Sequence, residues 1–117
     1  MANPFTYCEL HAANHGKAGK FYGALFDWKT TPEDVPGHAY SSIDTGAGFP
    51  GGMTERHLEG VSGWLTYVQV EDCAASTRRA RELGAQVLRE LVEIPEGTFS
   101  VLRDPDGNAL GLFEKRK

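Results

Sequence analysis

Three residues able to do chemistry stand at alternate positions near the start of the chain: Tyr7, Glu9 and His11. A strand over residues 4–13 has a side-chain period of two. It would put phenol, carboxylate and imidazole on one face. Leu65, Tyr67 and Gln69 repeat the spacing in the second half. The two sets predict a small-molecule pocket, which typically has apolar and aromatic walls and a few placed polar groups. Trp28, Phe49, Met53 and Phe99 are the candidate additional walls. Glu9 is the candidate general base, with Tyr7 or Tyr67 as acid or oxyanion donor. Aromatic residues on strand faces are also ordinary core. The polar members of the set favour the pocket.

Other reactive groups fit less well. Cys8 falls on the opposite face of the first strand with no adjacent base. Cys73 sits in the first turn of a helix, which favours a thiolate, but Glu71 and Asp72 flank it and oppose that. Both thiols read as bystanders. The run Gly46–Gly52 lacks the lysine and the spacing of a phosphate-cradling loop, so it reads as a turn.

The elements that must position these groups come in a repeated order. A strand over 4–13 precedes a helix Gly16–Phe26, capped by Asn14, with Ala18, Phe21, Tyr22 and Leu25 as its buried stripe. Short strands follow at Asp27–Thr31, within His38–Thr45 and near Met53, and Pro32–Gly37 is a loop. A polar stretch, Glu55–Ser62, leads to a second strand, Gly63–Glu71. Asp72 caps a helix over Ala74–Leu83, ended by Gly84. Strands at Gln86–Ile94, Thr98–Leu102 and Ala109–Phe113 complete the chain. The last two are joined by Arg103-Asp104-Pro105-Asp106-Gly107-Asn108, a dense run of turn formers. The order strand–helix–three strands therefore occurs twice, in modules of approximately 4–58 and 62–115. A shift of about 58 residues carries Asn14 onto Asp72.

The chain has 117 residues and a formal net charge of −4, the size of one domain and the wrong sign for a nucleic-acid surface. No run approaches the roughly 18 apolar residues of a membrane span. Two cysteines outside any CxxC pair, and no leader-like start, predict reduced thiols in the cytoplasm.

The run Lys20-Phe21-Tyr22-Gly23-Ala24-Leu25-Phe26-Asp27-Trp28, the Asp104-Pro105-Asp106-Gly107-Asn108 turn and the doubled order together resemble the vicinal oxygen chelate superfamily. That superfamily includes glyoxalase I, extradiol dioxygenases and bleomycin-resistance proteins. Trp64–Asp72 is similar to its glyoxalase-like branch. The resemblance implies an α+β fold: two βαβββ modules forming paired curved mixed sheets around a cup. It also implies a homodimer. In metal-using members the cup holds a divalent ion on His or Glu from the first and last strand of each module.

Carried onto this chain, those ligand positions fall on Tyr7, Leu65, Gly111 and either Gly52 or Met53. None is His or a carboxylate, and hard divalent ions need oxygen or imidazole donors in number. The expectation is a cup without metal or other cofactor that binds a small hydrophobic or aromatic molecule. Two alternatives stand beside it. One is a metal-dependent lyase or dioxygenase with displaced ligands drawn from Glu9, His11, His57 and Glu114. The other is a metal-free enzyme that uses Glu9 and a tyrosine for proton transfer. His15 and His38 are assigned no role.

Overall fold

The computed structural model describes residues 2–117. The elements are β1 (Phe5–Ala12), α1 (His15–Phe26), β2 (Lys29–Glu33), β3 (Tyr40–Asp44) and β4 (Gly51–Glu55), then β5 (Gly63–Gln69), α2 (Cys73–Glu82), β6 (Gln86–Ile94), β7 (Gly97–Arg103) and β8 (Ala109–Lys115). The fold is α+β, with βαβββ twice. No described helix is long and apolar enough to cross a membrane. The chain divides into two compact units. Residues 7–65 form the Tyr7 unit, and residues 2–6 with 66–117 form the Tyr67 unit.

In the Tyr7 unit the strand order is β2-β3-β4-β1. β4 runs parallel to β1, with Glu9 opposite Gly52 and Leu10 opposite Met53. β3 is antiparallel to both β4 and β2, so the sheet is mixed. Asn14 caps α1 by accepting the Lys17 amide at 2.9 Å. The Glu55 carboxylate accepts the His15 amide at 2.8 Å, a second tie at the same helix end. Asp27 closes the helix in the left-handed conformation, φ 57°, its amide bonded to the Gly23 carbonyl. Asp27 and Trp28 therefore lie outside the strand expected to start there, and β2 runs on through Pro32. A proline is tolerated because β2 is the outer strand of the unit's sheet. Gly51 and Gly52 belong to β4, so the expected turn ends at Pro50.

Leu10, Ala12, Ile43 and Met53 form the core beneath α1, with Ala18, Tyr22 and Trp28 packed on it. The expected helix stripe is only half present. Ala18 and Tyr22 face this core, but Phe21 and Leu25 are 58% and 57% exposed. No residue of α1 is fully buried.

The Tyr67 unit has the order β5-β8-β7-β6. β8 is parallel to β5, with Gly111 opposite Tyr67. β7 and β8 form the expected hairpin. Asp72 caps α2 by accepting the Ala75 amide at 3.0 Å. Val70, Cys73, Leu102 and Leu112 form the core there. At the turn, Asp104 accepts the amides of Asp106 and Asn108, both at 2.9 Å.

Candidate functional site

The register fixes which side chains meet on the face of β1 away from α1. Strand alternation puts Tyr7, Glu9 and His11 there. Antiparallel pairing sets Tyr40 beside Thr54, which itself lies opposite His11. The result is one connected network. Tyr40 donates its hydroxyl hydrogen to Glu9 Oε2 at 3.0 Å, and His11 Nε2 lies 2.7 Å from Glu9 Oε1. A carboxylate only accepts, so the imidazole donates. The Tyr7 and Tyr40 hydroxyls share a short hydrogen bond. Burial first, then the Glu9 charge, pushes the Tyr40 pKa far above the ordinary tyrosine value, so it stays a phenol.

His11 is 1% exposed and its Nδ1 has no hydrogen-bond partner among the described residues. His57 stacks on it with ring centroids 5.5 Å apart, and His38 stacks on His57 at 3.9 Å. His57 Nδ1 also lies 3.1 Å from the Glu55 carbonyl oxygen.

Gly52 explains how the phenols fit. A side-chain carbon at that position would collide with the hydroxyl oxygens of both Tyr40 and Tyr7. The Tyr67 unit repeats the device: a carbon at Gly111 would fall into the Tyr67 ring. Phe99 packs edge-on to that ring, centroids 6.0 Å apart.

The expected site residues divide as follows. Tyr7, Glu9 and His11 are brought together. Trp28 and Met53 are not with them. Both pack on the α1 side of the sheet, because Met53 is in register with Leu10 rather than with Glu9. Trp28 belongs to an aromatic cluster with Tyr22, Phe26 and Trp64. Phe49 lines a surface hollow of about 310 Å³ formed by Ile43–Pro50, its own loop and the end of β3. Leu65 is fully buried. In the other unit Tyr67 and Phe99 touch, while the Gln69 side-chain oxygen accepts the Thr6 hydroxyl at 3.3 Å.

Tyr40, His38 and Gly52 complete the site. The alternation of Tyr40 and Ser42 was the available signal for Tyr40, but its strand partner is not written in the sequence. Cys73 is buried among Ser100, Thr77 and the Leu112 carbonyl. Burial pushes its thiol pKa up, against its hydrogen bonds to Ser100 and Thr77, so it is not an activated nucleophile.

Comparison with known proteins then decides the family. Residues 7–113 match the model of the glyoxalase-like domain. The chain belongs to the glyoxalase-like domain family. Within it, the chain is 36% identical over 126 residues to "Putative glyoxylase CFP32" of Mycobacterium tuberculosis, covering 96% of this chain and 46% of that protein. It thus spans about half the length of that curated relative. A stretch of 54 residues, 46% of this chain and 20% of the relative, is 41% identical to the anthracycline biosynthesis protein DauV of a Streptomyces species. Among solved structures, a hypothetical protein of Bacillus halodurans superposes with TM-score 0.75 at 17% identity, over 100% of this chain and 97% of that one. Methylmalonyl-CoA epimerase of Streptomyces coelicolor superposes with TM-score 0.71 at 16% identity, over the whole of both chains. These two share the vicinal oxygen chelate fold with this glyoxalase-like chain.

The ion that this superfamily can hold does not fit the residues present. On the last strand of each module, the position that the resemblance assigns to a ligand is a glycine. Gly52, not Met53, is that position in the Tyr7 unit, since it faces Glu9. The space a ligand side chain would enter is taken by Tyr7 and Tyr40 at Gly52, and by Tyr67 at Gly111. Of the displaced set, Glu114 is engaged elsewhere: its carboxylate accepts the Cys73 amide at 2.8 Å, at the start of α2. Among the described residues, no group of three or more His, Cys, Asp or Glu converges as metal ligands do.

Proposed function

We propose that this glyoxalase-like chain binds a small hydrophobic or aromatic molecule on the sheet face that carries Tyr7, Glu9, His11 and Tyr40, without a metal. One observation carries the reading: phenol oxygens fill the space beside Gly52 that a metal-ligating side chain would need. What remains is an aromatic surface with a few fixed polar groups, the usual make-up of a small-molecule site. Similarity to a protein named for anthracycline biosynthesis supports a small-molecule role over a macromolecular one. The test is metal analysis of purified protein, followed by calorimetric screening of aromatic compounds. Stoichiometric Zn²⁺, Mn²⁺, Ni²⁺ or Fe²⁺ that is lost in Glu9→Gln or His11→Ala overturns the reading.

The contact of Tyr40 with Glu9 favours a second reading, metal-free proton transfer with Glu9 as base and a tyrosine as donor. Turnover separates the two. A ligand recovered unchanged, with Glu9→Gln altering affinity alone, supports binding.

The homodimer is also a proposal. Phe21, Leu25, Phe26 and Trp64 are all exposed on the Tyr7 unit. Exposed large apolar side chains clustered in this way commonly mark an interface. The curated relative carries about as much chain again as aligns here. We propose that a second copy covers this surface.

A further inference from the structure

Every hydrogen in the Tyr7–Tyr40–Glu9–His11 network is turned inward. Glu9 takes the Tyr40 hydroxyl at one oxygen and the His11 Nε2 hydrogen at the other. A hydroxyl has a single hydrogen. Since the Tyr40 hydrogen goes to Glu9, the Tyr40 oxygen must accept in its bond with Tyr7, and Tyr7 must donate. The direction is therefore set along the whole chain: Tyr7 to Tyr40 to Glu9, and His11 to Glu9.

A network so directed can offer an incoming molecule lone pairs but no hydrogens. His11 supplies direct evidence. In the tautomer that gives its Nε2 hydrogen to Glu9, the ring presents an acceptor at Nδ1, and that atom is buried without a partner among the described residues. Such an atom forgoes a hydrogen bond it could make. The ring stacked on His11, that of His57, is itself exposed and has one backbone contact, to the Glu55 carbonyl. A carboxylate or phosphate on the ligand would meet the Glu9 carboxylate with the Tyr7, Tyr40 and His11 Nε2 hydrogens already committed.

We infer that this face recognises its ligand through the ligand's own hydrogen-bond donors: the class is an aromatic molecule bearing phenolic hydroxyl or amino N–H groups, not an aromatic acid. The inference rests on the proposed binding function of the same face.

Three probes of one size test it: 2-naphthol, 2-naphthoate and naphthalene, titrated by fluorescence or calorimetry at pH 7. The expected result is 2-naphthol binding about tenfold or more tighter than either other probe, the worth of one buried hydrogen bond. Glu9→Gln replaces an acceptor-only group with one that also donates, which lets the Tyr40 and Tyr7 hydrogens reverse. The preference should then fall by about tenfold or turn towards 2-naphthoate. If Glu9→Gln does not fold, Tyr7→Phe is the second variant, and it should bring 2-naphthol towards the naphthalene value. Naphthoate binding as well as or better than naphthol in the unaltered protein overturns the inference and leaves the binding function standing. Failure of all three probes at millimolar concentration overturns both.

Discussion

The hydroxyl of Tyr40 donates to the carboxylate of Glu9 at 3.0 Å from a strand that is not adjacent to the one carrying Glu9. The bond ties β3 to β1 across β4 and holds a phenol where its ionisation is strongly opposed. Its sign with pH follows. The folded-state pKa lies above the unfolded value of about 10, so the stabilisation is complete below pH 10 and is lost as pH rises beyond it. Urea midpoints measured from pH 7 to 11.5 should fall steeply above about pH 10. Tyr40→Phe should be less stable at pH 7, by about 1–3 kcal/mol. It should also show a shallower alkaline fall. Equal alkaline slopes in the two proteins would refute the assignment.

Gly52→Ala and Gly111→Ala should each destabilise by about 1–3 kcal/mol through overpacking. In the first, two phenols must move. In the second, the Tyr67 ring must move. Denaturant melts measure the loss. Combining Gly52→Ala with Tyr40→Phe should recover part of it, since contacting sites do not add independently. Strict additivity would count against the packing described.

Asp104 should titrate below the usual carboxylate range. Amide hydrogen bonds from Asn108, aided by its side chain, hold the carboxylate ionised. A lowered folded-state pKa contributes stability that is full above the ordinary carboxylate value of about 4 and is lost as pH falls through the depressed one. The amide signals of Asp106 and Asn108, followed by NMR down to pH 2, should shift together below about pH 4. In Asp104→Asn that transition should vanish. Its persistence would mean that another group is titrating.

Light scattering at micromolar concentration should give twice the 12.8 kDa of one chain. Phe21→Lys, on the outward side of α1, should return the monomer mass with an unchanged circular dichroism spectrum. A monomer before substitution removes the proposed interface.

Local chemistry made much of the fold legible. Asn14 and Asp72 cap the helices as their types suggest, and the Asp104–Asn108 turn joins the two strands that flank it. Tyr7, Glu9 and His11 share a face because a strand's period is two. What depends on pairing between distant strands was hidden. Tyr40 reaches Glu9 only through the register of β3 on β4 and β4 on β1. The same register sends Met53 to the α1 side. A five-residue strand such as β4 carries too little pattern to reveal which face is which. Phe21 and Leu25 have helical spacing with Tyr22, yet α1 meets the sheet along a narrower line than that spacing suggests.

The filling of the space beside Gly52 also bears on how such a chain can change over generations. A carboxylate placed at position 52 alone meets two phenol oxygens. Trimming the phenols alone opens a void beside a charged group. Neither single step is a serviceable intermediate, so mutation in either direction crosses a valley, and positions 7, 40 and 52 should drift as a set across lineages. The two tyrosines act as a lock on change: while they stand over a glycine, gaining an ion-binding side chain there takes coordinated substitution.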